Sequence, residues 1–386
     1  MIVDCHCHVI AAEMTTTATP ERWRPTLGRS DGKPVVGFRG KVLRSIVGEF
    51  CDVDAMLAQA AAQGVDHLLL SPWIMLVPAE AELGEATAVC QVQNEALSRL
   101  ASARPGRVSA LGAVPLGDPA AAADCLAALM RLPGLFGAEI PASVSGAYLG
   151  DDRFEPFWEA AQATGALIFV HPTTTGFALP ALEDYYLWNS VGNPLETAIT
   201  AAHLVAAGVL DRHPGLKILL AHGGGGLHAI RGRLRRAFTV RPEARSRSAA
   251  GPDACLRRFW YDSLTHDRAL LADLVSYAGA DRVLLGSDRP FDMGAGHPVE
   301  EIRALGQPES EELILSGNAQ RLLGIAADRA RADPAGAAGF ESAAGTGTGS
   351  AGSAGAEAAP GEGTEASPAG AGTAREAIGQ GDGRDA

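Results

Sequence analysis

The sequence predicts an α/β protein built as a parallel (β/α)8 barrel, and three observations support this. Strand-like and helix-like segments alternate eight times over residues 1–325. Several of the strand-like segments, such as His67-Leu68-Leu69-Leu70-Ser71 and Ala166-Leu167-Ile168-Phe169-Val170, are nearly continuous apolar runs, the pattern of strands covered on both faces. Histidines and an aspartate fall at the ends of these runs, on the rim where barrels of this kind build their active sites.

In chain order, the first strand is expected over 1–10 and carries His6 and His8. Residues two apart on a strand share a face, so both imidazoles are expected in the lumen and Cys5 and Cys7 in the helix layer. Residues 11–52 then break the rhythm with Pro, Gly, Thr and Arg. A connection of that length is usually functional, and one leaving the C-terminal end of a barrel strand lies over the active-site mouth. Further strands are expected over 65–73, 107–116, 135–142, 166–172, 216–222, 259–266 and 281–288. The helical stretches between and after them cover 53–63, 89–104, 119–132, 153–164, 194–211, 227–239, 267–279 and roughly 298–324. From 326 to 386 the chain is mostly Ala, Gly, Glu, Thr, Ser and Pro. Such a segment has too little apolar surface to offset its ordering entropy and is expected to be a disordered tail.

The net charge of −13 argues against nucleic acid and anionic membrane as partners. No leader-like N-terminus and no apolar run of ~20 residues is evident. Six cysteines are dispersed along a long chain, so a soluble cytoplasmic protein with reduced thiols is expected.

The chemistry lies in residues that the barrel brings to one rim. His6 and His8 lie on strand one, and His171, His222 and Asp288 end strands five, six and eight. Imidazole nitrogens with a carboxylate oxygen suit Zn²⁺, and also Mn²⁺ or Co²⁺. A His-x-His pair alone is weak evidence; the joint pattern is strong. The glycines after His222 serve either close backbone approach to a ligand or a tight strand-to-helix turn. Glu139 and His266 also sit at expected strand ends and are open as further site residues. His67, His203, His213 and His228 have no partner motif and read as ordinary structural residues.

Four segments carry a resemblance to the amidohydrolase-related decarboxylases: Asp4-Cys5-His6-Cys7-His8, Val170-His171-Pro172, Ala221-His222-Gly223-Gly224-Gly225 and Gly286-Ser287-Asp288-Arg289-Pro290-Phe291. It covers about residues 1–325. The resemblance implies a divalent metal, most readily Zn²⁺, held by His6, His8, His171 and Asp288. It makes His222 the acid–base residue and gives Asp288 a second role as proton donor. It also implies that Arg39, in Phe38-Arg39, holds a substrate carboxylate and that Trp188 lines the site. Arg233 and Arg241 would reach across a homodimer interface into the neighbouring active site, although the run Arg231 to Arg236 reads equally as a solvated helix face. The implied reaction is non-oxidative decarboxylation of a small unsaturated or aromatic carboxylic acid. The same residues could instead hydrolyse an ester, lactone or amide. Two departures concern the substrate. Pro172-Thr173-Thr174-Thr175-Gly176 stands where the relatives carry Pro-Trp-Asp, and Arg289 replaces a tyrosine, offering a contact to another anionic group.

Overall fold

A computed structural model describes residues 1–173 and 179–325. The expected tail, 326–386, and the Thr174–Gly176 departure lie outside the described residues.

Eight parallel strands follow one another around a single sheet in sequence order: β1 (Val3–Val9), β2 (His67–Pro72), β3 (Val108–Gly112), β4 (Leu135–Pro141), β5 (Leu167–His171), β6 (Lys217–Leu220), β7 (Trp260–Asp262) and β8 (Val283–Leu284). The sheet closes on itself where Cys5 N–H donates to the Leu285 carbonyl at 2.8 Å and Cys7 bridges in parallel to Arg289. Helices α1 (Val53–Ala62), α2 (Leu83–Ser102), α3 (Pro119–Leu129), α4 (Glu155–Thr164), α5 (Asn193–Ala206), α6 (Arg231–Val240) and α7 (Arg268–Ala278) occupy the crossovers. Their starts follow capping chemistry. Asp52 accepts from Asp54 N and Ala55 N, Asp118 caps α3 ahead of Pro119, and Asp267 accepts from Leu270 N. No helix among the described residues is long and apolar enough to cross a membrane.

Alternation along the strands divides the core into two layers. Leu68, Leu70, Ile168, Val170, Ile218 and Leu220 pack outward against the helices. Leu69, Leu167, Phe169 and Leu219 fill the lumen and meet Ala319, Leu322 and Leu323 of the last helix, α8 (Asn318–Leu323), which plugs the barrel's N-terminal end.

The structure corrects three expectations. Cys7 joins the outer layer, but Cys5 lies in the lumen. A bulge between Asp4 and Cys7 shifts the β1 register, so parity fails across it while His6 and His8 still share the inner face. β7 ends at Asp262, four residues before the expected end, leaving His266 exposed in a loop. The expected helix over 194–211 breaks at Gly208, which is left-handed at φ 70°.

The 11–52 insertion contains a three-stranded antiparallel sheet, Thr26–Ser30, Lys33–Phe38 and Lys41–Leu43. Two tight turns connect it, Asp31-Gly32 (φ 52° and 77°) and Arg39-Gly40 (φ 48° and 74°). Positive φ at both central residues is the turn that matches strand twist in a hairpin. Arg39 therefore sits at a hairpin tip.

Candidate metal centre

His6 and His8 project from β1, His171 ends β5, and Asp288 follows β8; all four are buried. One ligand atom from each lies within 4.8 Å of the others. His6 Nε2 and His8 Nε2 are 3.1 Å apart, and Asp288 Oδ1 is 3.3 Å and 3.2 Å from them. Ligands ~2.0–2.1 Å from a tetrahedral ion stand about 3.3 Å apart, so these spacings fit convergence on one cation.

The surroundings fix which nitrogen is offered. His6 Nδ1 lies 2.6 Å from Asp262 Oδ2, His8 Nδ1 3.2 Å from the Pro72 carbonyl, and His171 Nδ1 2.9 Å from the Pro172 carbonyl. Each Nδ1–H thus has an acceptor, which leaves the Nε2 lone pair free for a metal. His171 Nε2 and Asp288 Oδ1 are buried without a hydrogen-bond partner. Orphaned polar atoms cost about 1–3 kcal/mol each; a bound cation satisfies both. The donor set and its orphan atoms fit a divalent metal.

The electrostatics agree. Burial depresses the His6 pKa, but Asp288 and Asp262 outweigh it and raise it to about 10. Burial lowers that of His8, and burial with the neighbouring imidazoles lowers that of His171 strongly. Burial opposes ionisation of Asp288, yet His6, His222 and His8 hold its carboxyl well below the usual range. Asp288 is thus held as an anion beside His8 and His171, which burial keeps neutral, while His6 holds a proton between Asp288 and Asp262.

His222 stands beside this cluster, its Nε2 3.7 Å from Asp288 Oδ2. It opens an unusual loop: His222 and Gly223 to Gly226 are five successive left-handed residues, φ 56° to 75°. Only glycine adopts that conformation freely, so His222 is held there by its surroundings. Asp288, at φ 56°, is in the same condition. Space is a second reason for glycine. A Cβ on Gly225 would lie 1.8 Å from the Pro194 carbonyl.

Asp262, which the sequence reading missed, holds this arrangement together. It is fully buried, and besides His6 it accepts from His222 N (2.7 Å), Gly223 N (2.6 Å) and Leu264 N (3.1 Å). The only signal in the sequence was its place at the end of an apolar–aromatic run. Glu139, on β4, is buried with Oε1 3.7 Å from His8 Nδ1 and 4.0 Å from His171 Nδ1, and burial raises its pKa well above the usual carboxylate range.

A cavity of about 690 Å³ opens above the cluster. His8, His171, His222 and Asp288 line its floor. Its walls include Phe38, Trp73, Ile74, Phe291, Tyr186 and Trp188. Arg39 lines it from the hairpin tip, its guanidinium 3.9 Å above the Trp23 ring. Lys41 and Ser45, also from the insertion, complete that side. Arg233 and Arg241 are exposed on and just after α6, outside this cavity, and Arg241 pairs with Glu243. Arg289 does not line the cavity either. Its guanidinium turns to Asp4 and Gln63.

A family profile described as amidohydrolase matches residues 3–325. The 2-amino-3-carboxymuconate-6-semialdehyde decarboxylase of Dictyostelium discoideum is 29% identical over 340 residues, covering 84% of this chain and 91% of that protein. The gamma-resorcylate decarboxylase of Rhodococcus jostii (strain RHA1) is 28% identical over 282 residues, 67% of this chain and 83% of the relative. Among solved structures, a dihydroxybenzoic acid decarboxylase from Polaromonas sp. JS666, with bound manganese and 2-nitroresorcinol, superposes with a TM-score of 0.68 at 23% identity, covering 84% of this chain and 96% of that one.

Proposed function

The chain belongs to the amidohydrolase family, and on that premise we propose a metal-dependent, non-oxidative decarboxylase acting on a small aromatic or unsaturated carboxylic acid. One observation carries this: His6, His8, His171 and Asp288 converge on the floor of an apolar cavity, with His222 next to Asp288. The relatives aligned over most of the chain are decarboxylases by name, which does not favour the hydrolase alternative.

We assign the metal to His6, His8, His171 and Asp288. Three imidazoles and one carboxylate suit Zn²⁺ first, with Mn²⁺ and Co²⁺ compatible. When bound, the ion supplies a Lewis-acidic anchor for the substrate carboxylate and a neighbouring oxygen.

The chain's own groups supply the rest. The aromatic walls position a flat substrate, with Trp188 at one side and Arg39 offering a guanidinium to an anionic substituent. Asp288 and His222 face each other and form the proton-exchange pair. A proton from this pair goes to the carbon bearing the carboxylate. The C–C bond then breaks, its electrons restore the unsaturated system, and CO₂ leaves. One substrate carboxylate and one proton yield one CO₂ and one C–H bond.

We further propose a homodimer, in which Arg233 and Arg241, exposed and outside their own cavity, serve the neighbouring site. Residues 1–325 form the catalytic unit in this reading. A cytoplasmic setting rests on composition and on six unpaired cysteines.

The test is a screen of aromatic and muconate-type acids for CO₂ release, with ester and lactone hydrolysis measured in parallel. CO₂ release that chelation abolishes and a divalent ion restores is expected. Hydrolysis without CO₂ would overturn the proposal.

A further inference from the structure

We propose that Arg289 is a positioning residue for the metal centre, acting through Asp4 and the Asp288 turn. The inference rests on the metal reading above.

Asp4 is fully buried and Arg289 is 10% exposed. Arg289 Nε donates to Asp4 Oδ2 at 3.0 Å and to Ser287 Oγ at 3.0 Å, and an Nη donates to Gln63 Oε1 at 3.0 Å. Gln63 is held in turn by donating to the Gly296 carbonyl at 2.8 Å. The remaining capacity of Asp4 is used on both sides of the barrel seam. Oδ1 accepts from His6 N at 3.2 Å and Ser287 N at 3.1 Å, and Oδ2 accepts from Ser287 Oγ at 2.5 Å.

Those contacts fall where the ligands are set. The β1 bulge lies between Asp4 and Cys7, and there the regular ladder to β2 lapses. Asp4 takes the His6 N–H that the bulge releases, so the carboxylate stabilises the kink that keeps His6 and His8 on one face. On the other side, Asp288 N donates to the His6 carbonyl at 2.7 Å and His8 N to the Arg289 carbonyl at 2.8 Å. Three of the four proposed ligands are therefore laced together by the backbone of Asp288-Arg289. The Arg289 side chain locks that backbone to the Asp4 carboxylate. A buried carboxylate facing two strand ends needs a cation, and a guanidinium fork can reach Asp4, Ser287 and Gln63 at once.

The experiment measures divalent-ion affinity by competition with a chromophoric chelator, using Zn²⁺ and Mn²⁺, on purified wild type, Arg289→Lys, Arg289→Met and the double variant Asp4→Asn/Arg289→Met. Lysine keeps the charge and loses the fork; the double variant removes the pair without stranding a buried charge. Visible spectra of the Co²⁺-loaded proteins report ligand geometry. Arg289→Met and the double variant are expected to bind about 10–100-fold more weakly, the usual effect of losing an outer partner of a metal ligand, with a changed Co²⁺ spectrum and partial recovery in Arg289→Lys. If Arg289→Met does not fold, the double variant decides. Wild-type affinity and spectrum in a folded variant, or a raised KM as the sole change, would overturn the inference. Failure of the wild type to bind either ion would instead count against the metal assignment itself.

Discussion

A single buried carboxylate, Asp262, holds two groups on which the proposed chemistry depends, the His6 imidazole and the backbone of His222. Asp262→Asn keeps the shape but weakens acceptance from three N–H groups and one ring. Metal affinity is expected to fall about 10–100-fold, read by chelator competition, with loss of turnover. His222→Ala should behave differently. It removes the proposed proton carrier but none of the four proposed ligands. Metal content by elemental analysis should stay at the wild-type level while CO₂ release falls about 10²–10⁴-fold. Loss of the metal in that variant would make His222 a ligand. His6 and His8 were legible in the sequence as a His-x-His pair on a strand, and His171, His222 and Asp288 because each stands out chemically at the end of an apolar run. Asp262 was not, because an aspartate after Trp260-Tyr261 looks like any polar strand end. Its importance comes from the loop that folds back onto it. Cys5 was misplaced because a bulge leaves no mark in the residue alternation.

Among the elements, long apolar strands and capped helices were readable, and the short pieces were not. The insertion's sheet carried a signal in Asp31-Gly32, a turn dipeptide between extended segments. Arg39-Gly40 repeats the device with a residue that seldom takes positive φ. The loop His222–Gly226 is the element least tolerant of change. Gly225→Ala places a methyl group against the Pro194 carbonyl and strains a left-handed residue. That variant is expected to melt at a lower temperature and to lose activity, while Gly226→Ala, with open space around the new Cβ, should show only the effect of strain. The ion pair at the start of α4 gives a pH signature. Arg212, with help from His213, holds the Glu155 carboxyl down to about 2. A depressed folded-state pKa stabilises above the unfolded value of ~4.3, and that stability is lost as pH falls through about 2. The difference in melting temperature between wild type and Glu155→Gln should therefore shrink as pH is lowered from about 4.5 towards 2.

At the scale of the molecule, the barrel was legible because eight strand-helix alternations admit few other folds. The number of subunits was not, because exposed arginines on a helix read alike whether they face water or a neighbour. If Arg233 and Arg241 act in a partner's site, mixing inactive Arg241→Ala chains with inactive His222→Ala chains should restore one of the two sites in each mixed dimer, which for an equal, fully exchanged mixture is about a quarter of the wild-type activity, checked alongside sedimentation. No recovery from dimers shown to have exchanged subunits would mean that Arg241 does not act in the partner's site. A chain ending at Ile325 should release CO₂ as the full chain does.

The plug formed by Ala319, Leu322 and Leu323 at the foot of the lumen has a consequence for traffic. Among the described residues the lumen is closed at that end. Among the described residues the hairpin tip that carries Arg39 lines the cavity above that closed foot, so substrate and products are expected to pass it. With the substrate carboxylate at the proposed metal, CO₂ would form at that closed end, beneath the decarboxylated product, and would have to pass the product or wait for it to leave. While it waits, the bond just broken can re-form. Isotopically labelled CO₂ supplied from solution should therefore exchange into unreacted substrate, and widening the mouth at the insertion should lower that return.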